Sequence, residues 1–144
     1  MKTSTLLAAA VLAVAAVPTH ANAQGLIQMS ASCINDSIAI GNNAGATISY
    51  VSGKFVLERK DYVEVGAWYA SATLGSFFAE LIPARGWRTA VSYGDTGRFC
   101  IGTTRIRVVS IEHCIIGGRD FGALCAAGMV PPDGEQLPVI WQPL

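Results

Sequence analysis

The chain carries little charge and no excess of either sign: Lys plus Arg number 10, Asp plus Glu number 10, and charged residues make up 14% of 144. Nucleic-acid binding rests on neutralising many phosphates, so this balance offers no electrostatic case for DNA or RNA. There is no Cys-x-x-Cys pair. The four cysteines are separated by 66, 13 and 10 residues, a spacing that fits a zinc site poorly. No Gly-x-Ser-x-Gly elbow is present, and the two histidines are His20 and His113. No apolar run reaches the roughly 20 residues that a membrane-spanning helix needs. No cofactor motif stands in the chain, and the fragments Asp133-Gly134-Glu135 and Asp95-Thr96-Gly97 lack the alternating oxygen ligands of a calcium loop.

Residues 1–23 read as a secretory signal peptide. Lys2 supplies a basic start, and Leu6 to Val17 is an apolar run of 12 residues broken by Pro18. Ala21-Asn22-Ala23 places small residues before a cleavage ahead of Gln24. Cleavage would leave 121 residues, with two Lys and seven Arg against ten acids and His113 as the single histidine. Gln24, not a cysteine, stands directly after the cleavage point, so no lipid anchor is expected, and the Ala-rich leader has a bacterial character. Four cysteines in an exported chain predict two disulfides among Cys33, Cys100, Cys114 and Cys125; spacing alone leaves three connectivities open.

The rest reads as many short strands with Gly- and Pro-rich turns. Residues 24–37 form a lead-in and 38–144 a single β domain. Ile38–Ile40 and Thr47–Val51 flank Gly41–Gly45 as a hairpin. Glu58–Asp61 reads as a charged, solvated loop tip, and Tyr62–Tyr69 alternates as a half-buried strand. Ala70–Leu81 reads either as one or two helical turns or as an irregular connection. Trp87–Tyr93, Arg98–Ile101 and Arg105–Ile111 read as strands, the last with Ile106 and Val108 opposite Arg105, Arg107, Val109 and Ile111. Pro138–Leu144 reads as an edge strand, because its prolines cannot donate to a central ladder. The expected fold is all-β: a disulfide-stabilised antiparallel β-sandwich, Ig-like or related, with room for one short helix.

Asn43-Ala44-Gly45-Ala46-Thr47-Ile48, Trp68 with Leu74-Gly75, Gly86 before a strand, and Cys100 and Cys125 together resemble a group of small exported bacterial proteins of unknown function. That group has an N-x-[TA]-G-x-x-I start and two spaced cysteines. The resemblance covers roughly residues 38 to 125 and implies a Cys100–Cys125 pair, which leaves Cys33 with Cys114; it implies no activity.

No convergent catalytic set emerges. Glu112-His113-Cys114 is the densest reactive cluster, but strand neighbours face opposite sides and a disulfide-bonded Cys114 is no nucleophile. Glu64 and Glu80 are the carboxylates in the most apolar surroundings. Arg88, Arg98, Arg105 and Arg107, within a set that includes Arg85 and Arg119, are the candidate binding residues, since guanidinium forks match carboxylates and phosphates. Trp68, Trp87 and Trp141, with Tyr50, Tyr62, Tyr69 and Tyr93, are candidates for stacking on sugars. The expectation is a secreted or periplasmic, non-enzymatic binding or envelope-accessory module for a protein, glycan or anionic ligand. The alternatives are a small secreted hydrolase using His113 or a carboxylate pair, and an inhibitor or toxin-like protein presenting Glu58–Asp61 or Phe77–Phe78.

Overall fold

The computed structural model describes residues 25–60, 68–70, 74–94, 97–132 and 137–143. The leader lies outside these residues, as do Glu64, Tyr62 and most of the alternating run before Trp68. The described chain is all-β, in two sheets. The smaller sheet has the order β1-β2-β6, formed by β1 (Ile27–Ser32), β2 (Ser37–Asn42) and β6 (Trp87–Ser92). The larger is centred on two long strands, β3 (Ile48–Lys60) and β7 (Thr103–Ile116). The short strand β4 (Trp68–Ala70) and β5 (Gly75–Ile82) pair with β3; β8 (Arg119–Asp120) and β9 (Val139–Trp141) pair with β7. All pairings are antiparallel except β7 with β9.

The stretch read as a lead-in holds β1, and the period of two explains why: Ile27, Met29 and Ala31 are buried while Gln28, Ser30 and Ser32 are not. β1 and β2 form a hairpin through residues 33–36. The expected hairpin across Gly41–Gly45 does not form. β2 and β3 belong to different sheets, so this segment is a crossing between them. Asn42 is the reason the crossing holds. Its Nδ2 donates to the carbonyls of Ala46 and Ile82 (both 2.8 Å), and its Oδ1 accepts the Ala44 N–H at 2.7 Å. Its own amide donates to the Gly86 carbonyl and its carbonyl accepts from Arg85, each at 2.9 Å. Asn42 therefore ties the crossing to the Pro83–Gly86 corner between β5 and β6, with its buried polar atoms satisfied.

β7 departs from strict alternation. Its register with β3 skips Val109 and then Glu112, while β3 skips Ser49. Each extra residue shifts the phase of the strand by one. Ile111 therefore turns into the core with Ile106 and Val108, against the simple period, and Cys114 follows it inward. Two other expectations also change. Ala70–Leu81 contributes β5, with Phe77, Ala79 and Ile82 buried, rather than a helical turn. Arg98–Ile101 contributes a single turn of 3-10 helix, Arg98–Cys100, rather than a strand. A second 3-10 turn spans Gly122–Ala126.

Both sheets contribute to one core. Ile27, Met29, Ile38 and Ile40 from the smaller sheet pack with Ile48, Val51, Phe77, Ile106 and Val108 from the larger. Fully burying each such side chain is worth roughly 1.5–3 kcal/mol.

The disulfides are Cys33–Cys100, with Cα atoms 5.3 Å apart, and Cys114–Cys125, with Cα atoms 6.5 Å apart. This corrects the pairing that the resemblance implies. Cys114 faces inward from β7, and the chain reverses through Gly117 and Gly118, both at positive φ, to lay Cys125 against it. Cys33 in the β1–β2 turn meets the first 3-10 turn, which the buried Asp36 carboxylate also caps through the Arg98 and Phe99 amides at 3.1 and 3.0 Å. In the chain-entropy account the bridges are worth about 4 and about 3 kcal/mol respectively. Two disulfides are consistent with an oxidising, extracytoplasmic environment. Among the described residues no helix is long and apolar enough to cross a membrane.

Candidate functional site

Along β3, Val51, Phe55 and Leu57 point into the core. The alternating residues Tyr50, Ser52, Lys54, Val56, Glu58 and Lys60 therefore line the outer face of the larger sheet. The register sets their neighbours. Ser52 stands between Phe78 of β5 and His113 of β7, Tyr50 between Glu80 and Ile115, and Glu58 opposite Arg105. Two clusters result, one near each end of the strand.

The first is polar and covered. The Glu58 carboxylate accepts the Nε–H of Arg105 at 2.8 Å and the Nε–H of Arg107 at 2.7 Å. The Glu58 side chain is 7% exposed, and those of Arg105 and Arg107 are 20% and 17% exposed. The Arg105 guanidinium lies 4.2 Å from the centroid of the Trp68 ring, and the Lys60 ammonium 5.7 Å from it. Burial pushes the Glu58 carboxyl up, but the hydrogen bonds and charges of Arg105 and Arg107 outweigh it, and its pKa falls below the ordinary value. Glu58, read from sequence as part of a solvated tip, is thus a buried strand residue. Only the register of β3 on β7 could have revealed it.

The second cluster is aromatic and open. Phe78 is 58% exposed, and its ring lies 6.4 Å from that of Tyr50 at an interplanar angle of 27°. The His113 ring is 6.3 Å from Tyr50 on the other side. Nδ1 of His113 meets Oδ2 of Asp120 at 2.8 Å. Oδ1 of Asp120 accepts the Cys114 and Gly122 amides, both at 2.9 Å. The Cys114 amide foremost, then His113 and the Gly122 amide, hold the Asp120 carboxyl down at about 2. An ionised Asp120 favours the proton on Nδ1 of His113, which fixes the ring and leaves Nε2 for another partner. Between the clusters, Lys54 and Glu112 form an exposed ion pair at 3.3 Å. Glu112 and His113 are both exposed, because the bulge at Glu112 interrupts alternation, yet each bonds a different partner.

The four candidate arginines do not converge. Arg105 and Arg107 share one face and one carboxylate supplied by the chain itself. Arg88 lies exposed on β6 in the other sheet, with its guanidinium 3.4 Å from the Trp87 carbonyl. Arg98 lies on the first 3-10 turn, over the Tyr93 ring at 5.7 Å. Among the aromatic candidates, Trp87 covers Gly41, where a Cβ would come within 2.6 Å of the indole. Trp141 packs partly against the core. Phe78 was singled out from sequence only as part of an inhibitor-like loop, and Asp120 was not singled out at all; their partners come from strands distant in the chain.

Ser52 faces His113 across the ladder, but no hydrogen bond joins them. Among the described residues no group of three or more His, Cys, Asp or Glu could hold a metal ion. No protein-family model, curated protein or solved structure matches the chain.

Proposed function

We propose that the chain is an exported, non-enzymatic binding module on a β-sandwich frame, and that it takes a glycan on the outer face at Phe78, Tyr50 and His113. The observation that carries this reading is the exposed Phe78–Tyr50 ring pair beside a histidine oriented by Asp120. Aromatic faces stack on the apolar face of a sugar ring, and His113 Nε2 with Glu80 and Glu112 nearby can bond its hydroxyls. The strands beneath, closed by two disulfides, hold these groups with little freedom to lose on binding. The sandwich is supported by the single core shared between the two sheets. Export is supported by the leader at residues 1–23 and the paired cysteines.

The test is a titration of isotope-labelled protein with a hexamer of N-acetylglucosamine and with a hexuronic-acid oligomer, followed by amide chemical shifts. Saturable shifts centred on Tyr50, Phe78 and His113, lost in Phe78→Ser, are the expected result. No saturable shift with either oligomer would sink the reading.

The His113–Asp120 pair favours a second reading, a small hydrolase in which His113 acts as base. Ester or glycoside turnover that disappears in His113→Ala would install it in place of the first. The segments of the inhibitor-like reading fall on strands, with Asp61 outside the described residues. Glu58 to Lys60 belong to β3, and Phe77 and Phe78 to β5, with Phe77 buried.

A further inference from the structure

Arg98, one of the four candidate arginines, lines a cavity. The space is about 200 Å³ and lies on the core side of β3, away from the glycan face. Its floor is apolar: Phe55, Leu57 and Phe99 are almost fully buried. Its rim carries Leu74 and Tyr93, both exposed despite their apolar rings and chains. Arg98 stands with them, exposed.

The cavity has a structural origin. Gly75 opens β5, and a Cβ there would come within 2.6 Å of the Phe55 ring. β5 belongs to the larger sheet and β6 to the smaller, so no ladder closes the gap between Gly75 and Tyr93.

The position of Arg98 is set without using its side chain. Its amide is bound by Asp36 at 3.1 Å, and its carbonyl accepts from Arg59 at 2.9 Å. The guanidinium contacts the Tyr93 ring and makes no ion pair with a carboxylate among the described residues. An apolar floor beneath a guanidinium that has no carboxylate partner among the described residues is complementary to a molecule with a hydrocarbon body and one anionic head. Size narrows the class. An apolar cavity of about 150 Å³ accommodates benzene, whereas drug-sized ligands occupy roughly 300–1,000 Å³. One ring or a short acyl chain fits.

We propose that this cavity binds a small apolar carboxylate, with Phe55, Leu57 and Phe99 holding the hydrocarbon and Arg98 holding the carboxylate. The site is independent of the glycan face and stands or falls separately from it.

The experiment uses the oxidised protein and two probes of equal ring size, benzoate and benzyl alcohol, titrated while the amide shifts of Phe55, Leu57 and Phe99 are followed. Benzoate saturates, and benzyl alcohol binds at least about tenfold more weakly, the difference a charge-assisted contact provides. Arg98→Gln brings benzoate down to the level of the alcohol, with the thermal midpoint unchanged because the side chain is exposed. Leu74→Trp, also at an exposed position, blocks both probes. Equal binding of the two probes to the parent protein, benzoate binding unaltered in Arg98→Gln, or no saturation by benzoate up to concentrations on the order of 10 mM overturns the proposal.

Discussion

The outer face of the larger sheet carries two anchored carboxylates, Glu58 and Asp120, and they are put to opposite uses. Both accept several hydrogen bonds, and both have pKa values below the ordinary range. Glu58 is covered, and its partners are two guanidiniums that are themselves four-fifths buried. Asp120 is 42% exposed, and its side-chain partner is a histidine open to solvent. Removing one member of a buried charge cluster strands the others in a poorly solvated place, whereas solvent replaces an exposed partner. The Glu58 cluster thus ties β3 to β7, and the Asp120 cluster fixes His113 on an open surface. Two of the four candidate arginines, Arg105 and Arg107, belong to the first cluster, and the open aromatic surface belongs to the second.

The largest effect that would break this contrast is on Glu58. Glu58→Ala leaves Arg105 and Arg107 without their shared anion and should destabilise the fold by about 3 kcal/mol, read from urea unfolding. Arg105→Gln leaves Glu58 with Arg107 and should cost less, about 1–2 kcal/mol. If Glu58→Ala costs no more than a surface substitution, the cluster is not what holds the two strands.

Acid sharpens the contrast next. Both carboxylates have folded pKa values below their unfolded ones, so the stability they contribute is complete above the unfolded values of about 4. It is lost as pH falls through the folded values, which for Asp120 is about 2. The stability difference between the parent protein and Asp120→Asn should therefore be constant above about pH 5 and shrink toward zero by about pH 2. The same comparison for Glu58→Gln starts larger and closes in the same direction. A difference that grows on acidification would contradict the assignment.

On the open side the stability effects should be small. Phe78→Ser and His113→Ala each change unfolding free energy by no more than about 0.5 kcal/mol, while both weaken oligosaccharide binding. A large loss of stability in Phe78→Ser would mean that the ring is a packing element. The smallest effect is expected midway between the clusters. Lys54→Met removes an exposed ion pair with Glu112 and should cost between about 0 and 1 kcal/mol, less still in high salt.

Much of the frame was legible in the chain, and the gaps have identifiable causes. The all-β class follows from short β-branched and aromatic runs between glycine and proline turns. β6 and the Pro83–Gly86 turn appear close to where those signals put them. Ala70–Leu81 was ambiguous because Phe78 and Leu81, apolar yet exposed, blur the alternation of buried Phe77 and Ala79 with polar Ser76 and Glu80. β7 was cut short at Ile111 because its two bulges cancel the period of two that marks a strand. The disulfide pairs were not legible, because connectivity depends on which turns meet in space: Cys33 beside the first 3-10 turn, Cys125 folded back under Cys114.

By itself the sequence determined the local terms: a leader-like start, an even set of cysteines, near-neutral charge, and strands whose alternation marks an inside. These depend on residue type and near neighbours, which the chain carries directly. Only the tertiary structure decided which outward residues meet. A shift of one residue in register sends a side chain to the other face of the sheet. Glu58 finds Arg105 and Arg107, and Tyr50 finds Phe78 and His113, only because β5 and β7 flank β3 in one particular register.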